Sequence, residues 1–209
     1  MDTAQSKQFI ISSRHALNHL FDAIDVYNKV LSAAQEEVER IESAQEILSN
    51  LFMYRDQWSA NANHHYAIYI ERMRLLSAQK QLAAIDTSVR LDSALESIGA
   101  TVESMSSLAG AILQIAKQVL ALRHNGKPAN MSPRNIGNQG IIEVIWEGRN
   151  HAMHWDEGAP RAKVKTMLDG LKNDLGIDIE TGKNNCLSIL GALGWSSTEA
   201  VVHDLESLI

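Results

Sequence analysis

Arg149, Asn150, His151 and His154 stand close together in the chain, with Glu143 and Glu147 just ahead of them and Trp146 and Trp155 on either side. An imidazole titrates near ~6.5 and so works as acid or base at neutral pH. A guanidinium stays charged, and its planar fork matches a phosphate. A cation aimed at developing negative charge is worth ~3–4 kcal/mol to a transition state. His154 is therefore the candidate acid–base and Arg149 the candidate phosphate clamp. Asn150, four residues before His154, is the candidate that orients the phosphate or the imidazole. His151, Trp155 and Arg134 are candidate substrate contacts. Trp146 and Trp155 suit stacking on a flat ring, and suit a helix–helix contact equally.

Other groupings have two readings each. Glu143, Glu147 and His151 follow one another at four-residue spacing, which fits a metal or second acid–base set, or a solvated helix face. His15 and His19 make another such pair. A metal would need further ligands from a second helix, so no metal site is assigned. Asn125-Gly126-Lys127-Pro128 lacks the glycine spacing of a nucleotide-binding loop, and no cofactor is expected.

These residues need one element to position them. At about 100° per residue, Ile141, Ile142, Ile145, Trp146, Ala152 and Met153 share one arc of a helix, extended by Val144, Gly148 and Trp155. Glu143, Glu147, Asn150, His151 and His154 share the other. Arg149 falls in the apolar arc. A charge there costs several kcal/mol unless paired, so a carboxylate from another helix is expected to meet it, or the helix to bend near Gly148. On a straight helix Arg149 and His154 leave the axis about 140° apart, so one copy cannot easily aim both at one phosphate. Two copies about a two-fold axis, or a distorted helix end, would.

The remainder reads as helices. Leu17, Leu20, Ile24, Tyr27, Leu31, Ala34, Val38, Ile41 and Leu48 form a heptad-like seam over a helix from about Ser12 to Asn50, with Ser12 or Ser13 as N-cap. Residues 51–63 are ambiguous, with Asn61-Ala62-Asn63 as a turn or an N-cap. A second helix spans about His64 to Ala84, and a third runs to Arg123 with Gly99 or Gly110 as possible interruptions. His124 to Gly140 is a loop. After the motif helix come a helix from Arg161 to Asp174, another from Asn184 to Leu193, and a last one opened by a Ser196-Ser197-Thr198-Glu199 capping box. Residues 1–209 are thus expected to form one all-α domain, a helical bundle. Residues 1–124 would supply its long helices, and 125–209 the motif helix and the C-terminal helices.

Composition agrees with an all-helical chain: 209 residues, 45% hydrophobic, with only three prolines. Cys186 is the lone cysteine, which fits a reduced, cytoplasmic setting. The N-terminus has no signal-like pattern, and no run of 18 apolar residues suggests a membrane span. Net charge is −6, which argues against blanket nucleic-acid binding. The charge is uneven, however. Residues 117–172 carry nine basic against five acidic side chains, while both flanking segments are net acidic. The one positive segment encloses the motif.

Arg149-Asn150-His151-Ala152-Met153-His154, followed by Trp155, resembles the signature of the HEPN superfamily: an arginine, a polar residue, and a histidine a few positions on. Arg14-His15-Ala16-Leu17-Asn18-His19 has the same form but lies in the heptad helix, where Arg14 and His19 read as solvated. The close resemblance covers about 139–157, under a tenth of the chain. It implies a helical bundle, a homodimer with the motif at its interface, and metal-independent RNA cleavage, though some such proteins bind without cutting. It also implies a toxin or phage-defence role, with a possible antitoxin protein as partner. The alternative is a non-catalytic helical scaffold that assembles through its long helix.

Overall fold

The computed structural model describes residues 3–54, 65–83, 87–128 and 133–209. Seven helices occur among the described residues: α1 (Thr3–Tyr54), α2 (His65–Ala83), α3 (Thr87–His124), α4 (Ile141–His154), α5 (Ala162–Leu175), α6 (Cys186–Leu193) and α7 (Thr198–Ser207). A short antiparallel hairpin, β1 (Asn135–Ile136) and β2 (Gln139–Gly140), precedes α4. The protein is therefore all-α, with its long N-terminal helix packed against α3. Asn61-Ala62-Asn63 lies outside the described residues.

The seam on α1 is the side that burial selects. Leu17, Ile24 and Ile41 are buried, and Leu20, Tyr27, Leu31, Ala34, Val38 and Leu48 are half-buried. The same three–four spacing continues backward through Ser13, Ile10 and Ser6, all buried. This corrects the helix start. Ser13 is a small seam residue, and Ser12 bonds the Phe9 carbonyl, so neither is a cap. Gly99 and Gly110 do not interrupt α3. A Cβ on Gly110 would stand 3.0 Å from the Ala152 Cβ, so the glycine permits a close approach of α4.

The chain divides into two compact units, Met1–Tyr27 with Val102–Ile209, and Asn28–Thr101. In the second, Glu37 receives Arg90 at 2.7 Å and Arg40 at 2.6 Å. A groove of about 770 Å³ there is lined by Arg40, Ile47, Arg74 and Gln81, among others. In the first, the core joins Leu17, Met105, Ile112, Leu113, Leu120, Ile145, Met167, Leu171, Ile189 and Leu205, all essentially without exposure. α3 includes an 18-residue window long and apolar enough, by length and composition alone, to cross a bilayer. A core helix has the same composition, and half of that window is buried within the protein.

The polar loop sequence between α3 and α4 does not announce the hairpin. Its turn is Gly137-Asn138, with Gly137 at φ 60°. Asp174 of α5 accepts from the Asn138 backbone N–H at 2.8 Å and from its side-chain amide at 2.9 Å. The Ile141 N–H donates to the Arg134 carbonyl, which seats the first turn of α4. α7 begins one residue later than the capping-box reading: Ser197, not Ser196, accepts from the Ala200 N–H at 3.3 Å.

Candidate functional site

α4 carries the motif. Ile141, Ile142, Val144, Ile145 and Gly148 are buried as the apolar arc requires. Gly148 is a contact point, since a Cβ there would meet Ile189 of α6 at 3.1 Å and Leu113 of α3 at 3.4 Å. Met153, on the same arc by its spacing, is exposed. On the polar arc, Glu147 and His151 are only 4% and 5% exposed. A solvated face is therefore the wrong description for these two residues. Each is buried because a tertiary partner satisfies it.

Glu147 is the hub. Its two oxygens accept from Lys127 Nζ at 2.9 Å and from Asn150 Nδ2 at 2.9 Å. Burial alone would raise its pKa, but the bonds from Lys127 and Asn150 outweigh that and hold the carboxyl below its ordinary value. Lys127 also reaches Glu143 at 2.6 Å. Burial works against its charge, yet the bonds to Glu143 and Glu147 prevail and raise its pKa. Glu143 and Glu147 thus converge on an ammonium, and His151 faces elsewhere. Among the described residues no three His, Cys, Asp or Glu side chains are gathered as a metal set.

Asn150 is engaged at both ends. Its Oδ1 accepts from Lys117 Nζ of α3 at 3.3 Å. Lys117 sits 4.5 Å from the centre of the Trp146 ring, a cation–π contact. Its pKa is lowered, first by burial and then by the positive charge of Arg149.

Arg149 meets an amide where the apolar arc predicts a carboxylate. Its Nε donates to Gln114 Oε1 of α3, and no ion pair to it occurs among the described residues. α4 runs through Gly148 without a break. The apolar arc tolerates Arg149 because the residue is half-exposed and its Nε bond is satisfied.

His154 donates from Nδ1 to Glu157 at 2.6 Å. That bond puts the proton on Nδ1 and leaves Nε2 without a partner among the described residues, the arrangement that a carboxylate gives an acid–base histidine. The sequence marks Glu157 only as part of the helix end; the His-x-x-Glu spacing is the available signal. Trp155 still has right-handed helical angles, and the helix is unbroken from Ile141 to His154. Arg149 and His154 of one copy accordingly diverge by about 140°.

The other candidates lie apart from this network. His151 Nε2 accepts from the Asn185 backbone N–H at 3.0 Å, and burial lowers its pKa, partly offset by the Lys183 carbonyl. His151 and Trp155 share a cleft of about 120 Å³ with Lys165, Asp169 and Gly182, well below the ~300 Å³ at which ligand pockets begin. Arg134 is held by Asp204, with Nε to Oδ1 at 3.0 Å and Nη2 to Oδ2 at 2.5 Å, and also donates to the Leu193 carbonyl. His15 and His19 are exposed on α1 with their Nε2 atoms 3.0 Å apart. Sequence reasoning misses Lys117, Lys127 and Gln114 as site residues, because nothing in their local sequence points to α4. Compared with known proteins, the chain matches no family model, no curated protein and no solved structure.

Proposed function

We propose that this chain is a HEPN-like RNA-binding protein that cleaves RNA without a metal, as a two-fold homodimer. The observation that carries the reading is Arg149. A guanidinium held by the neutral Gln114 amide is oriented but not neutralised, and a phosphodiester is the anion its fork fits. The Nε2 of His154, whose ring is braced by Glu157 through Nδ1, supplies the proton transfer. In the reaction, His154 of one copy takes the ribose 2′-hydroxyl proton. O2′ attacks the adjacent phosphorus while Arg149 of the other copy stabilises the phosphoryl oxygens. The P–O5′ bond breaks, and the leaving oxygen takes its proton from solvent water. The products are a 2′,3′-cyclic phosphate and a 5′-hydroxyl. A toxin or defence role, an antitoxin partner and a cytoplasmic setting go with the HEPN resemblance and form part of the same proposal.

A second reading is a non-catalytic helical scaffold. It is favoured by Val26 and Val30, one turn apart on α1 and 58% and 43% exposed. Arg149→Gln and His154→Ala separate the two. Loss of RNA cleavage by about 10²-fold or more, with unchanged circular dichroism, supports the nuclease. Cleavage by neither the wild type nor the variants, with a stable assembly, supports the scaffold.

A further inference from the structure

Arg149 is not the only cation at this site that is held by a neutral amide rather than an ion pair among the described residues. α3 presents Gln114 and Lys117 one turn apart, and α4 presents Arg149 and Asn150 side by side. Two rungs join them: Gln114 takes the Arg149 Nε, and Asn150 Oδ1 takes the Lys117 Nζ at 3.3 Å. Both cations are thus held by neutral amides. Neither has an ion pair among the described residues. Glu147, whose charge reaches Lys117, is bonded to Lys127 at 2.9 Å and to Asn150 rather than to either cation. The polarity of the second rung is forced. Glu147 is an acceptor only, so it must take the NH₂ end of Asn150, at 2.9 Å, and the oxygen end must turn to Lys117.

We propose that Lys117 is a second phosphate-binding residue for the RNA strand that Arg149 holds, and that buried Glu147, acting through Asn150, is the residue that positions it. The inference rests on the RNA-binding reading above. The chemistry is that of two adjacent cations facing a polyanion: they repel one another until a phosphate backbone lies across them. The lowered pKa of Lys117 agrees with this: burial acts first, then the charge of Arg149, with the charge of Glu147 partly offsetting them. A strand phosphate beside Lys117 would reverse the second of these causes.

The test is binding of a fluorescent 2′-O-methyl oligoribonucleotide, which cannot be cleaved, followed by anisotropy over a range of salt. For a single strand, the log–log salt slope changes by ~0.7 for every phosphate that the protein neutralises. Lys117→Gln should bind about 3- to 10-fold more weakly with the slope reduced by that amount, and Lys117→Arg should retain binding. Glu147→Gln removes a negative charge, which by simple attraction would tighten binding; as the removal of a positioning residue it should weaken it. Unchanged affinity and slope in Lys117→Gln, with Arg149→Gln impaired, overturns the role of Lys117 and leaves the RNA-binding reading standing. A weaker Lys117→Gln with an unchanged slope assigns Lys117 to folding and also overturns it. Tighter binding by Glu147→Gln overturns the positioning role. Failure of the wild-type protein to bind the probe removes both the inference and the reading beneath it.

Discussion

Replacing Glu147 by glutamine tests how the polar side of α4 is built. Three amino groups bear on the chain of contacts: Lys127 Nζ and Asn150 Nδ2 donate to Glu147, and Lys117 Nζ donates to the far end of Asn150. A carboxylate accepts on both sides and satisfies all three. A glutamine accepts on one side and donates on the other. If its oxygen faces Lys127, its NH₂ meets the Asn150 NH₂. If Asn150 then turns over, its own NH₂ meets Lys117. One donor–donor contact is unavoidable. The cost is therefore one hydrogen bond, about 1 kcal/mol, plus the reduction of a charge-assisted bond to a neutral one, about another 1 kcal/mol. Lys127 keeps Glu143 at 2.6 Å, but that pair is partly exposed and contributes under ~1 kcal/mol. A net cost of about 2 kcal/mol corresponds to a fall in Tm of about 4–8 °C for a chain of this size.

The pH dependence gives the stricter check. The native pKa of Glu147 is depressed. Its stabilisation is therefore complete above the unfolded carboxyl value, about 4.3, and is lost as pH falls through the lower native value. Calorimetry across that range should show the wild-type and Glu147→Gln transitions well separated at neutral pH and converging in acid. Parallel curves throughout, or equal stability at neutral pH, would refute the argument that the carboxylate is the group that satisfies the network.

The packing sets three further outcomes. Asp204→Ala leaves the Trp195 indole N–H, 2.6 Å from the carboxylate, and the Arg134 guanidinium without their acceptor; a loss of about 3 kcal/mol in urea unfolding, discounted for the partial exposure of Arg134, is expected with altered tryptophan fluorescence. Gly148→Val places a branched side chain where a Cβ already lies 3.1 Å from Ile189, and should lower the stability measured in urea by about 1–3 kcal/mol with an unchanged slope. Cys186 is buried, and burial followed by the charge of Glu103 pushes its thiol up to about 12, so a disulfide reagent at mildly alkaline pH should label it only after unfolding.

The parts of the fold that local periodicity controls are legible in the sequence. The seam from Leu17 to Leu48 is the less exposed side of α1, because a three–four spacing has no other way to bury its side chains. The loop after α3 follows from glycine and proline chemistry. What fails depends on neighbours. Ser13 resembles a cap because serine is polar, yet it is small enough to sit in the seam. Ser196 and Ser197 are equally good caps by type, and only the entry of α7 into the core selects the second. The hairpin at Asn135–Gly140 is two ladder pairs long, too short for an alternating pattern, and its stability comes from Asp174 some distance along the chain. A helical wheel likewise sorts Glu147 and His151 by polarity and takes polarity for exposure. Lys127 and Asn185, which bury them, are remote in sequence.

The motif itself is legible as residue types at a spacing, but a wheel cannot say which of the nearby charges remain available. The distinction lies in the partner. Lys127 faces two carboxylates and Arg134 faces one, so their fields are largely cancelled and their work is to bind α3, the hairpin and the C-terminal helices together. Arg149 and Lys117 are oriented by Gln114 and Asn150, and an amide dipole fixes a cation without neutralising it. Two cations built into one helix–helix contact thus differ in purpose from two others a turn or a loop away. In the proposed reaction, the unbroken helix limits how they act. With Arg149 and His154 about 140° apart on α4, the proposed acid–base group of one copy and its own proposed clamp would point to different places. A phosphodiester held by Arg149 would then take its imidazole from a second copy, which would make assembly part of the proposed chemistry rather than an addition to it.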